Sequence, residues 1–216
     1  MNRSRSSKSS SRKGAAVRRL RRVDPKLGEW IDRIGACKLP QRRGRYAALI
    51  RAIVAQQVST KAAAAVFERI RLAAGGWVTA DRIDTIPDEE LRAAGLSRQK
   101  LSYVRDLTSR VRNGSLRLER LTTRSDEEII EVLTEVKGLG RWSAEMFLIF
   151  VLNRPDVLPV GDLGIQNGFR RVYRLPERPS VDEMHELAEP WRPYRTFGSW
   201  YLWRATEVPT LPDEQS

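Results

Sequence analysis

Apolar side chains recur every three to four positions along most of this chain, which is the period of an α-helix. In the segment 45–59, RYAALIRAIVAQQVS, the larger apolar residues from Tyr46 to Val58 fall on one helical face. No stretch shows the sustained alternation of apolar and polar residues that is typical of a half-buried strand. The pattern therefore predicts an all-α protein.

Residues typical of helix ends bound several of these periodic segments. The expected boundaries are Ser59 or Thr60 and the glycines 75–76 for an Ala-rich helix, Ser97 and Gly114 for a second, and Ser125 for a third. The segment 141–152, RWSAEMFLIFVL, is apolar nearly all round. It is predicted to be a central buried helix.

Composition narrows the class of protein. The 216 residues, 41% of them hydrophobic, suffice for one domain or two small lobes, and no apolar run approaches the roughly 20 residues that cross a bilayer. With one cysteine, Cys37, and one histidine, His185, an intrachain disulfide, a Cys₄ zinc site and a His-rich metal centre are excluded. The net charge of +12 favours a polyanionic partner, most simply nucleic acid.

The positive charge is concentrated at the start of the chain. Residues 1–22 hold nine basic residues and no acidic one, which leaves 30 basic and 27 acidic residues elsewhere. This Ser- and Arg-rich composition predicts a disordered basic arm over residues 1–23, either solubilising or tethering to DNA, and without the apolar run of a signal peptide. The folded domain is then expected at 24–208, followed by a short flexible tail at 209–216.

Two short segments carry candidate chemistry. In EVKGLGRWSAEMFLIF (135–150), the turn from Lys137 to Gly140 joins two predicted helices, and its glycines let the backbone approach a ligand such as phosphate. On the glycines alone, a plain helix–turn–helix connection with a glycine C-cap is the favoured explanation. In VLPVGDLGIQNGFRRVY (157–173), Asp162 precedes a helix, where an Asp is most often an N-cap.

The pairing of VKGLGRWSA (136–144) with LPVGDLG (158–164) resembles the helix-hairpin-helix DNA glycosylase superfamily. Within it, the chain is most similar to the 3-methyladenine DNA glycosylase II, or alkylpurine glycosylase, branch. The similarity extends over residues 40–207 and includes AIVAQQVSTKAA upstream and PWRPYRTFGSWYLWRA near the C-terminus. It implies two helical lobes, a helix-hairpin-helix element and an active-site cleft between the lobes.

The resemblance also implies roles for individual residues. Asp162 matches the catalytic aspartate, whose carboxylate would stabilise positive charge on the deoxyribose or orient a water molecule. Trp142 stands in the hairpin where lyase-competent relatives carry a nucleophilic Lys, so a monofunctional glycosylase is expected. Trp142 and Trp203 match base-stacking tryptophans, although a core position is the ordinary alternative for both. Met146 stands where some relatives have a pocket Tyr.

Contacts with DNA follow from the same resemblance. Gln57, or its neighbour Gln56, would fill the gap left by the flipped nucleotide. The phosphate contacts implied are Lys137, Gly138, Gly140, Arg141, Ser143 and Arg195. The alternatives are a helix ion pair for Arg195 and a solvated surface charge for Lys137. Trp191 and Tyr194 are expected to be packing residues.

The implied partner is double-stranded DNA containing damaged bases, bound by a monomer with no membrane association. Localisation would be cytoplasmic, at the nucleoid, in a bacterium and nuclear in a eukaryote. No cofactor and no catalytic metal are expected, although a structural monovalent cation at the hairpin carbonyls is common in the superfamily. Two alternatives stay open: a glycosylase of this fold for deaminated or oxidised bases, and a non-catalytic helix-hairpin-helix DNA-binding protein.

Overall fold

The computed structural model describes residues 3–209, with side chains from Arg12 onward. Helices account for all regular secondary structure in this range, which confirms the all-α prediction. The α-helices are α1 (Arg3–Val23), α2 (Pro25–Ile34), α3 (Arg45–Ala55), α4 (Thr60–Ala73), α5 (Ala80–Thr85), α6 (Asp88–Ala93), α7 (Arg98–Arg112), α8 (Asp126–Thr134), α9 (Arg141–Phe147), α10 (Leu163–Tyr173), α11 (Val181–Ala188) and α12 (Arg195–Glu207). Short 3₁₀ helices lie at Leu118–Thr123 and Glu189–Trp191, and a π-helix at Leu148–Leu152 follows α9.

The chain divides into two units. One is the continuous segment Gln41–Asn153, which we call the inserted unit because it interrupts the other. The second, the split unit, combines Met1–Pro40 with Arg154–Ser216. Each unit has its own packed helices: α3 packs on α4, α7 and α9 in the inserted unit, and α10 packs on α12 and α2 in the split unit.

Helix α1 corrects the prediction of a disordered arm over residues 1–23. Ala16 and Leu20, one helical turn apart, are fully buried, and α1 contacts α2 and α12. The Lys13 ammonium donates to the Leu39 carbonyl at 2.9 Å, and Arg19 Nε donates to the Arg192 carbonyl at 2.9 Å. The buried side chains of Ala16 and Leu20, together with the hydrogen bonds of two basic side chains, therefore hold this helix in the split unit. Residues 1–2, and residues 210–216 of the predicted tail, lie outside the described range.

The core of the split unit is organised around Asp24, the N-cap of α2. One carboxylate oxygen accepts the Leu27 amide at 2.9 Å, and the other accepts Trp191 Nε1 at 2.8 Å together with the Tyr173 hydroxyl. Trp191 is fully buried and stacks on Phe169 with ring centroids 5.4 Å apart. Burial and the neighbouring Asp24 carboxylate raise the pKa of Tyr173 far above its usual range. Trp191 is thus a packing residue, as predicted.

In the inserted unit, serine side chains cap the starts of three helices. Ser59, Ser97 and Ser125 each accept a backbone amide at the beginning of α4, α7 and α8, which confirms the predicted boundaries. Two details differ from the prediction. Val58 lies beyond the end of α3 and is 45% exposed, and the buried helix predicted at 141–152 changes to π geometry at Leu148.

Candidate functional site

The hairpin between α8 and α9 depends on two glycines with different tasks. Gly138 has a φ of 79°, and a Cβ there would come within 2.1 Å of the Tyr103 ring. Only glycine combines this backbone conformation with such close packing. Gly140 has an extended backbone, and a Cβ there would meet nothing within 4 Å. The first glycine therefore lets the turn pack on α7, whereas the second leaves its outer surface open.

Charged groups surround this turn. Lys137 is exposed, and its backbone amide donates to the Asp106 carboxylate at 2.9 Å. The Arg141 guanidinium forms two hydrogen bonds with Glu127, at 2.6 and 3.0 Å, which lower the pKa of that carboxyl group. Ser143 is buried in the first turn of α9. Among the predicted hairpin contacts, Lys137 and Gly140 are thus exposed, Arg141 is held by a carboxylate, and the Ser143 side chain is shielded.

The two candidate wedge residues follow the end of α3 and differ in their surroundings. Gln56 Nε2 donates to the Gly138 carbonyl at 2.6 Å, which ties this side chain to the hairpin. Gln57 is exposed and has a φ of 56°, a left-handed conformation that few residues other than glycine adopt. The structure therefore distinguishes an anchored glutamine from an exposed one.

Asp162 caps α10 in the split unit and is half-buried. Its Oδ1 accepts the Ile165 amide at 3.0 Å and the indole Nε1 of Trp203 at 2.8 Å. A Cβ at Gly164 would lie 2.9 Å from the Trp203 ring, so this glycine permits the approach of the indole. The structure thus brings together Asp162 and Trp203, which are 41 residues apart in the chain. The Asp162 carboxylate therefore caps α10 and also contacts Trp203, a candidate pocket residue.

A second glycine in α10, one turn later, has the same effect on packing. A Cβ at Gly168 would lie 2.7 Å from the Cβ of Leu202 in α12. The pair Gly164 and Gly168, spaced by four residues, is the sequence signal that this face of α10 packs closely against a helix. That signal was present in the sequence but did not contribute to the predicted site.

The tryptophan and methionine side chains predicted for a base pocket lie outside the core. Trp142 is 47% exposed at the start of α9, so the core alternative does not hold for it. Met146 is half-buried one turn further along the same helix. Trp203 is half-buried beside Asp162. Trp142 and Met146 belong to the inserted unit, and Trp203 belongs to the split unit.

Arg195, one of the predicted phosphate contacts, is bound to a carboxylate within the fold. Its guanidinium binds Asp156 through Nε at 2.9 Å and Nη2 at 3.0 Å, and its side chain is only 12% exposed. The backbone amide of Arg195 also donates to Asp156, at 3.1 Å. Nε and Nη2 of Arg195 are thus used inside the fold, in an ion pair with a loop aspartate, whereas the predicted alternative was an ion pair within a helix. Asp156 was not predicted as a site residue, because the sequence around a loop aspartate does not indicate which distant residue it binds.

Neither a metal cluster nor a membrane span is found in the described part of the chain. Residues 3–209 contain no group of three or more His, Cys, Asp or Glu side chains placed to hold a metal ion. Over the same residues, each helix is too short or too polar to cross a bilayer.

Comparison with known proteins places these features in a family. The model of the HhH-GPD superfamily base excision DNA repair proteins matches residues 50–193, a range that includes the hairpin and Asp162. DNA-3-methyladenine glycosylase 1 of Schizosaccharomyces pombe is 38% identical over 171 residues, which are 78% of this chain and 75% of that protein.

Solved structures agree with the sequence match. A DNA-3-methyladenine glycosidase from Bacillus halodurans superimposes with a TM-score of 0.82 and 35% identity, over 89% of each chain. The S. pombe 3-methyladenine DNA glycosylase in complex with abasic DNA gives a TM-score of 0.79 and 34% identity, over 90% of this chain and 97% of that one. The matched region contains the hairpin and Asp162, and the chain belongs to the HhH-GPD superfamily of base excision DNA repair proteins.

Proposed function

We propose that this protein is a DNA glycosylase that removes alkylated purines such as 3-methyladenine and leaves an abasic site. The observation that carries the proposal is the Asp162 carboxylate, oriented by hydrogen bonds from Trp203 and from the first turn of α10. Membership of the HhH-GPD superfamily supports it, as do the names of the similar proteins, which are 3-methyladenine glycosylases.

The carboxylate has a clear task in this reaction. As the bond between C1′ and the purine nitrogen breaks, the purine takes the bonding electrons and positive charge develops on the deoxyribose. Asp162 stabilises that charge and orients a water molecule, whose oxygen bonds to C1′ while its proton passes to the carboxylate or to solvent. Two hydrogen bonds to Oδ1 hold the group in place, so little reorientation is needed during the reaction.

The base pocket is proposed to use Trp142 and Trp203 as stacking surfaces, with Met146 beside Trp142. A methylated purine carries positive charge, and the quadrupole of an indole ring attracts such a cation by about 0.5–2 kcal/mol. The half-exposed side chain of Trp142 supports this role, because a core tryptophan could not meet a ligand. The same residue supports a monofunctional enzyme, since its indole offers no amine for a Schiff base.

Binding to damaged double-stranded DNA is proposed to involve Gln57 as the wedge and the exposed outer face of the hairpin, with Lys137 and Gly140, as a phosphate contact. We propose a monomer that acts at the nucleoid or in the nucleus. We also propose a monovalent cation at the hairpin carbonyls. The Gly138 carbonyl already accepts Gln56 Nε2, which leaves one lone pair for such an ion.

The test is base release from a panel of single-lesion duplexes by the wild type and by Asp162→Asn. Asparagine caps a helix about as well as aspartate, so the fold should be kept. We expect release of alkylated purines by the wild type, and a rate about 10²- to 10³-fold lower, with DNA binding kept, in the variant. Asp182→Asn is the matched control because it removes an exposed carboxylate from the first turn of α11.

Other outcomes would assign a different function. Activity retained by Asp162→Asn would remove the aspartate from its role. Release of only deaminated or oxidised bases would favour the second glycosylase alternative, and binding without any release would favour a non-catalytic protein. Product strands should break only after alkali treatment, whereas spontaneous breakage together with a borohydride-trapped adduct would contradict the monofunctional assignment.

A further inference from the structure

Three side chains on one face of α7 contact the two loops that are proposed to meet DNA. Lys100, Tyr103 and Asp106 are spaced by three residues, so they lie along the same side of the helix. Lys100 reaches the segment after α3, Tyr103 covers Gly138, and Asp106 accepts the Lys137 amide. All these residues belong to the inserted unit.

Lys100 makes the most specific of these contacts. Its ammonium group donates to the carbonyls of Val54 and Gln56, both at 2.7 Å. The last carbonyls of a helix have no partner within the helix and form the negative end of its dipole. A cation that binds two carbonyls at the end of α3 therefore fixes both the end of the helix and the direction in which the chain leaves it.

The second carbonyl matters because of its position next to the proposed wedge. The Gln56 carbonyl belongs to the peptide group that joins Gln56 to Gln57, and Gln57 has the left-handed φ of 56°. L-residues rarely adopt this conformation unless their surroundings impose it. Lys100 holds the peptide on one side, and the Gln56 side chain holds the same loop to the Gly138 carbonyl at 2.6 Å.

We propose that Lys100 is a positioning residue for base flipping, which holds the peptide between Gln56 and Gln57 so that Gln57 is presented as the wedge. The inference rests on the proposed function, because it assumes that Gln57 enters the duplex. Through Tyr103 and Asp106, the same face of α7 also fixes the hairpin. A single helix, α7, thus contacts both the segment with the proposed wedge and the hairpin with the proposed phosphate contact.

The first experiment measures wedge insertion without any base release. A duplex carries a tetrahydrofuran abasic-site analogue with 2-aminopurine as the neighbouring base, and its fluorescence changes when the stack is opened. At saturating protein, Lys100→Met should lose at least about half of the wild-type change, since the wedge is no longer held. Lys100→Arg, which keeps a cation and several donors, should restore it. Lys38→Met, which removes an exposed lysine from the split unit, is the matched control.

The second experiment compares single-turnover release of one alkylated purine in two settings. Opposite its normal partner, flipping must break a base pair, and we expect Lys100→Met to be about 10- to 100-fold slower than the wild type. Opposite an abasic-site analogue, where flipping costs less, the difference should fall below about threefold. A loss of the same size in both settings would indicate general damage to the enzyme and would overturn the proposal.

A double-mutant cycle separates positioning from folding. If Lys100 acts through the wedge, Lys100→Met should add less than about twofold to the loss caused by Gln57→Ala. Fully additive losses would overturn the proposal even if Lys100→Met were partly unfolded. A 2-aminopurine fluorescence change as large with Lys100→Met as with the wild type would overturn it as well. If the wild type released no base, the fluorescence experiment would still test the role of Lys100, so failure of the proposed function is recognisable separately.

Discussion

Asp156 accepts three hydrogen bonds from Arg195, from its backbone amide, Nε and Nη2, and a fourth from Arg192. Burial of Asp156 raises its pKa, but these bonds more than offset the effect, so the pKa lies below that of an ordinary aspartate. A carboxyl group with a lowered pKa stabilises the fold above its unfolded-state pKa, near 3.9 for Asp, and this stabilisation is lost as the pH falls through the folded-state value.

Asp156→Asn should therefore lower the free energy of unfolding by about 1–3 kcal/mol at pH 7. The difference from the wild type should narrow progressively below about pH 4, where the wild-type carboxyl group also becomes protonated. Urea unfolding between pH 3 and pH 7 measures both quantities. A difference that stayed constant with pH would show that the charge of Asp156 is not responsible.

Among single residues, the sequence selected those whose adjacent positions in the chain contain a recognisable pattern. Asp162 stands after Pro and Gly at a helix start, and Trp142 follows the hairpin glycines, so local pattern and resemblance suffice to select them. The partner of Arg195 could not be predicted, because Asp156 lies 39 residues away and only the folded chain brings the two together.

At the scale of the elements, the two glycines of the hairpin test how the turn is packed, with one substitution as the control for the other. Gly138→Ala places a Cβ against the Tyr103 ring and at a φ of 79°, so we expect a loss of about 2–4 kcal/mol in the free energy of unfolding. Gly140→Ala meets open space with an extended backbone and should change stability by less than about 1 kcal/mol. Thermal unfolding of both variants checks the contrast.

The same pair separates folding from binding. Because Gly140 is exposed where the backbone is proposed to approach a phosphate, Gly140→Ala should weaken binding to undamaged duplex while leaving the fold intact. Equal melting temperatures for the two variants would contradict the division of tasks between the glycines.

Helix boundaries were predictable where a cap lies next to the element it starts. Ser59, Ser97 and Ser125 each act within three residues of their own position, so a single stretch of sequence contains the whole signal. The ordering of α1 was not predictable, since contacts with α2 and α12 hold it. The change to π geometry after Phe147 has no signal that we identify in the sequence.

For the whole molecule, the ordered α1 changes how its charge can be tested. Deleting residues 1–22 would remove the buried Ala16 and Leu20, so a loss of activity would report unfolding as well as charge. Substitution of three exposed arginines by glutamine, at Arg12, Arg18 and Arg22, removes charge and keeps these contacts.

We expect this triple variant to bind undamaged duplex more weakly and to reduce the slope of log K against log salt by up to about 0.9 per lost phosphate contact. Base release at low salt should be largely retained. Glutamine at Arg92, Arg120 and Arg178, three exposed residues elsewhere, controls for net charge. If the two triple variants had the same slope, α1 would have no special part in DNA binding.

The two lobes implied by the family resemblance correspond to two units, but their boundaries were not visible in the sequence. One unit is assembled from segments at both ends of the chain, and only contacts between distant residues, such as Tyr173 with Asp24, define it. The net charge was a guide to the class of partner. It did not reveal that part of its richest segment, around Ala16 and Leu20, belongs to a packed helix.

The division of the split unit also has a consequence for synthesis on the ribosome. Domains generally fold as units while the chain emerges from its N-terminus. The inserted unit, Gln41–Asn153, is synthesised before α10 and α12, so the hairpin and the segment with Gln57 precede Asp162 and Trp203 during translation. Asp162 and Trp203 acquire their hydrogen bond only after α12 has been made. A nascent chain that ends before α12 therefore contains the hairpin and the proposed wedge residue but lacks the Trp203 hydrogen bond to the proposed catalytic aspartate.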